Sequence, residues 1–502
     1  MKNMKRLAAL LLVLVLVVSL FSGCKNEQQD IDLEEEVETI ASTVTTSGGD
    51  AGLVGKGGVT SSVNTSTWGG YETGGEKIDK DTVLGYDFKG SKIIIYGLEK
   101  PDSSASKADA AHAEVYEKLK KMNCKVEFVS STSDKTKQQT ILNVMSSTHF
   151  ADLITTQQHG IVGYLTSDLL YDMSKVKTLD LSQPYMNVGA GVEAFRLGSG
   201  YWAVNHPVSL ASVGNYVFFN KRLMKEVTGD ENYPYKLMKQ NKWNIANWRE
   251  LNKKGMKELN GDGKFTEADQ WGLIFCDIGT AGFSAILQAN RAQMIKNING
   301  MLSYNMEDGK CIPTINEGIE LFYTDNACIN ITSKNAYNNF MAGRALFLGG
   351  MSAGNCKTVA DMKDDFGILP FPLGNGQTEY SVCTNWNTTV FAIPACVPKK
   401  QLSNTGAFLQ AYMLLADEIA VPALFNEYTM RFCRDEESQE NLMIGYRAQY
   451  TTASAATAND EAIKMGTYRV CYDASFKAPA TTVAANKGIS IKAIADLNDK
   501  LK

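Results

Sequence analysis

The amino-acid sequence predicts a layered α/β body of two interlocked lobes. Three observations predict it: the body opens on an alternation of strands and helices, it ends in a largely helical stretch, and neither a repeat nor a second linker interrupts it. The 502 residues are 44% hydrophobic and 21% charged, which excludes a disordered, collagen-like or multi-span membrane chain. With 50 basic and 55 acidic side chains the net charge is −5, so no basic field awaits nucleic-acid phosphates and no nucleic-acid partner is expected. Only four histidines occur (His112, His149, His159 and His206), and no two are spaced like metal ligands, which argues against zinc or histidine-centred chemistry.

The N-terminus carries an address. Lys2, Lys5 and Arg6 precede an apolar run from Leu7 to Phe21, broken only by Ser19. That run is shorter than the ~20 residues a membrane-spanning helix needs and suits a signal-peptide core. Leu20-Phe21-Ser22-Gly23-Cys24 follows at once and resembles a bacterial lipobox, with Phe21 where leucine is usual. The resemblance implies that Cys24 is acylated and becomes the mature N-terminus. Removing residues 1–23 takes away three basic side chains and no acidic ones, leaving 47 against 55, or −8. Such a body is not drawn to anionic lipid, so attachment to the membrane rests on the lipid anchor. From Lys25 to about Asp87, an acidic stretch (Glu34-Glu35-Glu36, Glu38) gives way to Ser, Thr and Gly, with few apolar side chains for a core; this reads as a flexible tether. Beyond Cys24, nine cysteines are scattered from Cys124 to Cys471 without short paired spacings, an odd set that forms no disulfide framework or CxxC motif. They are expected to be small buried hydrophobes, and so many free thiols on an exported chain suggest an anoxic habitat.

The body starts near Ser91. Lys92-Ile93-Ile94-Ile95-Tyr96 is a β-branched strand bounded by glycines, Val115, Leu119 and Met122 recur at helical spacing, and Lys125-Val126-Glu127-Phe128-Val129 alternates as a strand. A helix over about 135–147 leads into the strand Asp152-Leu153-Ile154-Thr155. Strand, helix, strand, helix, strand implies parallel pairing through right-handed crossovers. Val208–Phe219 is apolar and β-prone. Helical patterns cover Trp248–Leu259, Ser284–Ile298 and Ile315–Tyr323, strands are expected at Ala345–Leu348 and Phe366–Pro370, and helix dominates after Gln401. Trp243, Trp248 and Trp271 are assigned to structure.

A twelve-residue loop, Glu258 to Asp269, matches a calcium-binding EF-hand loop. Glu258, Asn260 and Asp262 occupy positions 1, 3 and 5, Gly263 position 6, the Lys264 carbonyl position 7, Phe265 the apolar position 8, Thr266 position 9 and Asp269 position 12. A hard cation needs such a cage of oxygens within one short turn. Glu at position 1 and the shorter Asp at position 12 depart from the pattern, and a polar turn that never fills is the competing reading. A structural calcium ion is the expectation.

The ordered segments Asp152-Leu153-Ile154-Thr155-Thr156, Gly200-Tyr201-Trp202-Ala203-Val204, Val217-Phe218-Phe219-Asn220-Lys221, Phe340-Met341-Ala342-Gly343-Arg344-Ala345-Leu346, Phe366-Gly367-Ile368-Leu369-Pro370-Phe371-Pro372 and Val390-Phe391-Ala392-Ile393-Pro394 resemble the family 1 extracellular solute-binding proteins, the sugar-binding lipoproteins of ABC importers. The resemblance covers roughly residues 90–502. It implies a two-lobed periplasmic-binding-protein-like fold of type II that closes on its ligand by hinge motion. By it, residues 1–23 are a signal peptide and 24–88 a tether, residues 89–206 with 374–424 form the first lobe, and residues 207–373 with 425–502 form the second. Crossings are placed near 207–219 and 366–373, with a third near residue 425. The implied function is carbohydrate capture, of an oligosaccharide above all, by a monomer anchored on the extracellular face of a bacterial membrane and delivering to ABC permease subunits.

A sugar offers an apolar ring face and a rim of hydroxyls, so its site needs aromatics for the one and amides or charged groups for the other. Asn385 and Trp386, inside Thr384-Asn385-Trp386-Asn387, fit that need, as do Tyr201 and Trp202 ahead of the first crossing. Gln158 and His159 follow a strand at its carboxyl end, where α/β proteins hold ligands. Each also has a structural reading, as a packed aromatic or a solvated turn. Arg431, with Arg434, Asp435 and Glu436 nearby, is assigned to a salt bridge. No GxSxG, HExxH, Walker-type or SxxK motif occurs, and the chain is expected not to be an enzyme. The rival readings are a surface glycoside hydrolase, which needs a carboxylate pair across a cleft, and a ligand sensor or peptide binder of the same fold.

Overall fold

The structure, a computed structural model, describes residues 78–208, 214–384 and 387–502. These all fall within one unit, Val63–Lys502. The first described element is helix α1 (Lys80–Leu84), started by Asp79, whose carboxylate accepts from the Thr82 backbone N–H. Strand β1 (Lys92–Tyr96), helix α2 (Lys107–Lys121), strand β2 (Lys125–Val129), helix α3 (Ser133–Met145) and strand β3 (Leu153–Gln157) follow, and β4 (Val204–Asn205) ends this part of the chain. Next come β5 (Tyr216–Asn220), helix α4 (Ile245–Lys254), β6 (Trp271–Phe275), β7 (Cys328–Asn330), β8 (Ala345–Met351) and β9 (Phe366–Pro370). Strand β10 (Thr389–Ala392) and helices α5 (Lys399–Leu415), α6 (Val421–Phe432), α7 (Glu436–Arg447) and α8 (Pro479–Lys500) complete the elements used below.

Two five-stranded sheets result, in the orders β2-β1-β3-β10-β4 and β7-β6-β8-β5-β9. In the first, β2, β1 and β3 run parallel, and β10 runs antiparallel to both β3 and β4. In the second, β7, β6 and β8 run parallel, and β5 runs antiparallel to β8 and β9. Each sheet is thus a parallel βαβ core with one antiparallel strand inserted, as the alternation of strands and helices requires. Strand β5 shows why a continuous apolar run marks a central strand. Val217 and Phe219 enter a core with Trp243, Trp248 and Phe347, while Tyr216 and Phe218 enter another with Phe366 and Phe425. Helix α5 is apolar on all sides for the same reason, with Phe408, Leu409, Tyr412 and Met413 all buried.

Three sequence expectations change. Residues 78–88, assigned to the tether, belong to the body: Val83 and Phe88 are buried in the core under α5. One buried residue in so short a helix leaves too little periodicity to read. The helix expected over 284–298 covers only Phe283–Ala289 and follows a π-turn, Ile278–Gly282. Arg291 turns left-handed, and Ile295–Ile298 pairs instead with Met301–Tyr304. Asn299 and Gly300, both at positive φ, make the turn of that hairpin, an Asn-Gly signal the sequence carries openly. A Cβ on Gly300 would lie 1.9 Å from the Gly198 carbonyl oxygen, so the hairpin docks only with glycine there. Finally, residue 425 lies inside helix α6, which itself spans the two lobes, rather than in an extended crossing.

A buried chain of rings ties α2, α5 and the end of β4 together. His112 Nε2 lies 2.8 Å from Tyr412 Oη, which lies 3.1 Å from His206 Nε2. The Val208 N–H donates to His206 Nδ1, so the His206 proton sits on Nε2 and donates to Tyr412, whose hydroxyl in turn donates to His112. Burial lowers the His112 pKa to about 4. Burial, with the charge of His112 as a smaller cause, lowers that of His206 to about 3. Both rings stay neutral in the native state while the unfolded chain takes up protons below about pH 6.5. Stability is therefore full above that pH and declines as pH falls toward 4 and below. Urea unfolding at pH 5 should show a loss of about 2 kcal/mol per histidine relative to pH 7, halved in His112→Asn. Equal stability at the two pH values would refute the arrangement.

Candidate functional site

The register of the sheets locates the edges that the crossings join. Strand β3 ends at Gln157 opposite Thr389, where β10 begins, and β4 ends at Asn205 opposite Val390. The chain therefore leaves and re-enters the first sheet on its carboxyl edge. In the second sheet β5 begins at Tyr216 opposite Met351, the end of β8, and β9 ends opposite Tyr216 at Pro370. Entry and exit are again on the carboxyl edge. Both crossings, residues 206–215 and 371–388, thus join carboxyl edge to carboxyl edge, and the turns that follow the parallel strands gather around them. This is the part of an α/β sheet where ligands bind.

Helix α6 makes a third link. The Ala108 N–H of α2 donates to Glu427 of α6 at 2.8 Å, while Val421 and Phe425 pack into the second lobe. Beyond it, α7 lies on β9 through Asn441 Nδ2 to the Ile368 carbonyl, 2.8 Å, and the Ile368 N–H to Ser438 Oγ, 3.0 Å. Arg431 pairs with Glu427, and Arg434 donates to the Ala360 and Asp364 carbonyls, so both arginines hold structure.

Where the crossings meet the first sheet, polar side chains are buried: Gln158, Asn205, Thr384, Thr388 and Thr451. They form a directed chain. Asn205 Nδ2 donates to Thr451 Oγ1 (3.0 Å), Thr451 Oγ1 and Thr384 Oγ1 lie 3.2 Å apart, and Thr384 Oγ1 donates to Gln158 Oε1 (3.3 Å). The backbone repeats the link, with the Gln158 N–H on the Thr388 carbonyl and the Thr451 N–H on that of Gly189. Nearby, Asn215 Nδ2 donates to Cys383 Sγ, joining the two crossings. Desolvated hydroxyls and amides are costly unless partnered, so such a chain holds four segments in one arrangement.

The structure brings two of the sequence-expected segments together. Gln158 is fully buried in this network, and His159 beside it bonds Asn459 through Nδ1 and also meets the Asn387 side chain. Burial lowers the His159 pKa and the Asn387 bond raises it, with burial the larger effect. Asn385 and Trp386 lie outside the described residues, as does Cys24; their described flanks, Thr384 and Asn387, both face the turn after β3. Tyr201 and Trp202 are used elsewhere. They belong to a hairpin of Arg196–Leu197 with Gly200–Tyr201, in which the Trp202 indole N–H donates to the Leu197 carbonyl at 2.7 Å. Tyr201 is buried with the Arg196 guanidinium over its ring. An aromatic pair ahead of a crossing reads alike whether it faces a ligand or closes a hairpin.

Asn205, Asn215 and Thr451 were not singled out from the sequence. Single small polar residues at strand ends give no periodic signal, and their partners are up to 246 positions away. On the second sheet the carboxyl edge carries the turn after β6, where left-handed Asp277 accepts from the Thr280 N–H and Thr280 bonds Tyr472, which is 40% exposed.

The Glu258–Asp269 loop is a hydrogen-bonded turn on the second lobe. Glu258 Oε1 accepts from the Asn260 and Gly261 N–H groups, Asn260 Oδ1 from Asp262 and Asp262 Oδ1 from Lys264. Both oxygens of Asp269 accept from the loop itself, from Leu259 N–H and from Thr266 N–H and Oγ1, and these bonds hold its carboxyl below the usual range. Asp269 thus closes the loop on itself. Among the described residues no group of three or more His, Cys, Asp and Glu side chains is placed to hold a metal ion.

No protein-family model and no curated protein matches the sequence. Solved structures do. A cyclo/maltodextrin-binding protein complexed with maltotetraose is 13% identical, covers 80% of this chain and 97% of its own, and superposes with a TM-score of 0.57. UspC of M. tuberculosis is 14% identical over 80% of this chain and 100% of its own, with a TM-score of 0.58. UgpB of M. tuberculosis, in complex with glycerophosphocholine, is 12% identical over 81% of this chain and 98% of its own, with a TM-score of 0.53. At such identities the likeness establishes the fold: this chain is similar in architecture to the two-lobed solute-binding proteins.

Proposed function

We propose that this chain is the extracellular substrate-binding lipoprotein of an ABC importer, which captures a carbohydrate, an oligosaccharide above all, between its lobes by hinge closure. The observation that carries the reading is the pair of crossings that join carboxyl edge to carboxyl edge, with the Gln158–His159 turn and the Thr384–Asn387 segment converging there. A cleft so bounded removes a small polar ligand from water on both sides, and the ligand stabilises the closed form by the contacts it makes only there. The maltotetraose complex among its structural neighbours supports a sugar. The glycerophosphocholine complex shows that a protein of this fold takes another polar ligand, which favours a non-sugar solute as the second reading. Trp386 and Asn385 are the proposed ring platform and hydroxyl partner, and no bond is broken.

The proposal includes acylation of Cys24, which anchors a monomer at the outer membrane surface beside its permease. It includes a structural calcium on the oxygens of Glu258, Asn260, Asp262, Thr266 and Asp269 and the Lys264 carbonyl.

A thermal-shift panel of mono- and oligosaccharides tests the reading. A ligand at a hundred times its dissociation constant stabilises by about 2.7 kcal/mol, and the shift should vanish in Trp386→Ala. A panel without a single shift would refute sugar capture. In the same format, calcium should raise the melting temperature over chelator in the parent chain and not in Asp262→Ala; identical melts would refute the calcium proposal. Thr451→Val should cost about 1–3 kcal/mol of stability by leaving a buried amide of Asn205 short of a partner, read by urea unfolding; an unchanged midpoint would show that the polar chain holds nothing.

A further inference from the structure

A cavity of about 630 Å³ opens on the first lobe, walled by α1, the end of α2 and the π-turn Ala416–Ala420 that follows α5. Asp87 and Asn123, which also line it, stand just ahead of β1 and β2, so it sits at the amino edge of the first sheet, away from the crossings. Its floor is apolar. Leu84, Met122 and Ile419 are half-buried against the core under α5, beside buried Leu415. Its rim is charged, and both rim carboxylates are engaged within the wall: Glu418 pairs with Lys80, and Asp87 accepts from Asn123 Nδ2 at 2.9 Å and from the Lys89 N–H at 2.8 Å. Lys118 and Lys121, on the basic last turn of α2, supply the remaining charge. The contact of Lys118 with Glu114, at 3.5 Å between exposed side chains, holds it only weakly.

The described chain begins beside this cavity. The Ile78 N–H donates to Asp180 Oδ2 at 3.2 Å, and Lys80, two residues on, is already part of the wall. Just ahead, outside the described residues, the sequence reads Trp68-Gly69-Gly70-Tyr71-Glu72 and then Glu76. Each aromatic ring covers about 150–250 Å² when packed, and the small and polar residues around these two offer it no apolar partner. The glutamates carry the charge that Lys118 and Lys121 attract. The seven residues from Tyr71 to Ile78 reach up to ~25 Å. A link so short holds the segment at an effective concentration on the order of millimolar, so even a modest contact is populated. We propose that this cavity is the docking site of the chain's own segment Trp68–Glu76, with its rings on the apolar floor and its glutamates against Lys118 and Lys121. The docked segment covers the edge of the core that α1 leaves open, and it fixes the side of the first lobe from which the rest of the tether departs. The inference does not depend on what the cleft binds.

The test mixes unlabelled and heavy-nitrogen-labelled full-length protein in equal parts and treats it with a water-soluble carbodiimide, which condenses a carboxylate and a neighbouring amine to an amide with loss of water. Cross-linked peptides are then mapped by mass. The result expected is Glu72 or Glu76 joined to Lys118 or Lys121 within a single label, in preference to lysines elsewhere on the body. That link should be lost in the double variant Trp68→Ala, Tyr71→Ala. The link between Lys80 and Glu418, already paired in the wall, should survive in the variant and report that the cavity is intact. Amide hydrogen exchange over 118–123 and 415–419 should be faster in the variant than in the parent chain. Links that combine the two labels would overturn the proposal and make a second copy of the chain the occupant. So would links scattered over distant lysines, links that persist without the two rings, or no link from either glutamate.

Discussion

Two antiparallel strands, β5 and β10, sit between neighbours that run the other way, and their backbone pairing fixes where the chain can pass between the sheets. A strand that starts at the carboxyl edge must be reached from that edge, so both crossings are forced to the same side of each sheet. The remaining architecture follows from this. The turns after β3, β6 and β8 are collected around the crossings, α6 straddles the lobes, and the outer faces are left to helices. Register is set by burial, since a slip of one residue in β5 would exchange the side chains of Val217 and Phe219 for those of Tyr216 and Phe218 between two filled cores.

Polar chemistry is concentrated at that junction. The chain from Asn205 through Thr451 and Thr384 to Gln158 joins segments that come from four places in the sequence, and the His112–Tyr412–His206 rings join two helices to the first residue of a crossing. Buried polar networks specify one arrangement and penalise others, because a partner lost in a low-dielectric interior is not replaced by water. A hinge built this way has few alternative geometries, which suits the proposed rotation of whole lobes about it.

Much of the fold was legible in the residues. The alternation over 92–157, the apolar run of β5 and the β9 strand all carry their period openly, and local periodicity survives whatever packs around it. What depended on distant partners was not legible. Trp202 looks the same whether its indole N–H meets a ligand or the Leu197 carbonyl. The 295–304 hairpin was hidden under a helical spacing of apolar residues, although Asn299-Gly300 marks its turn. Of the site, the Gln158–His159 turn was read from its place after a strand, while Asn205 and Thr451 became recognisable only once the topology had made them neighbours. Asp269 fits its position in the calcium pattern, yet the loop draws both its oxygens inward.

The central claim is that two lobes rotate about the crossings and close on a polar ligand. Small-angle X-ray scattering of the protein, alone and saturated with an oligosaccharide that it is shown to bind, tests it most directly. The account predicts a smaller radius of gyration in the bound state, with the compaction lost when the sugar is removed by dialysis. Binding that leaves the scattering curve unchanged would contradict hinge closure as the mechanism of capture.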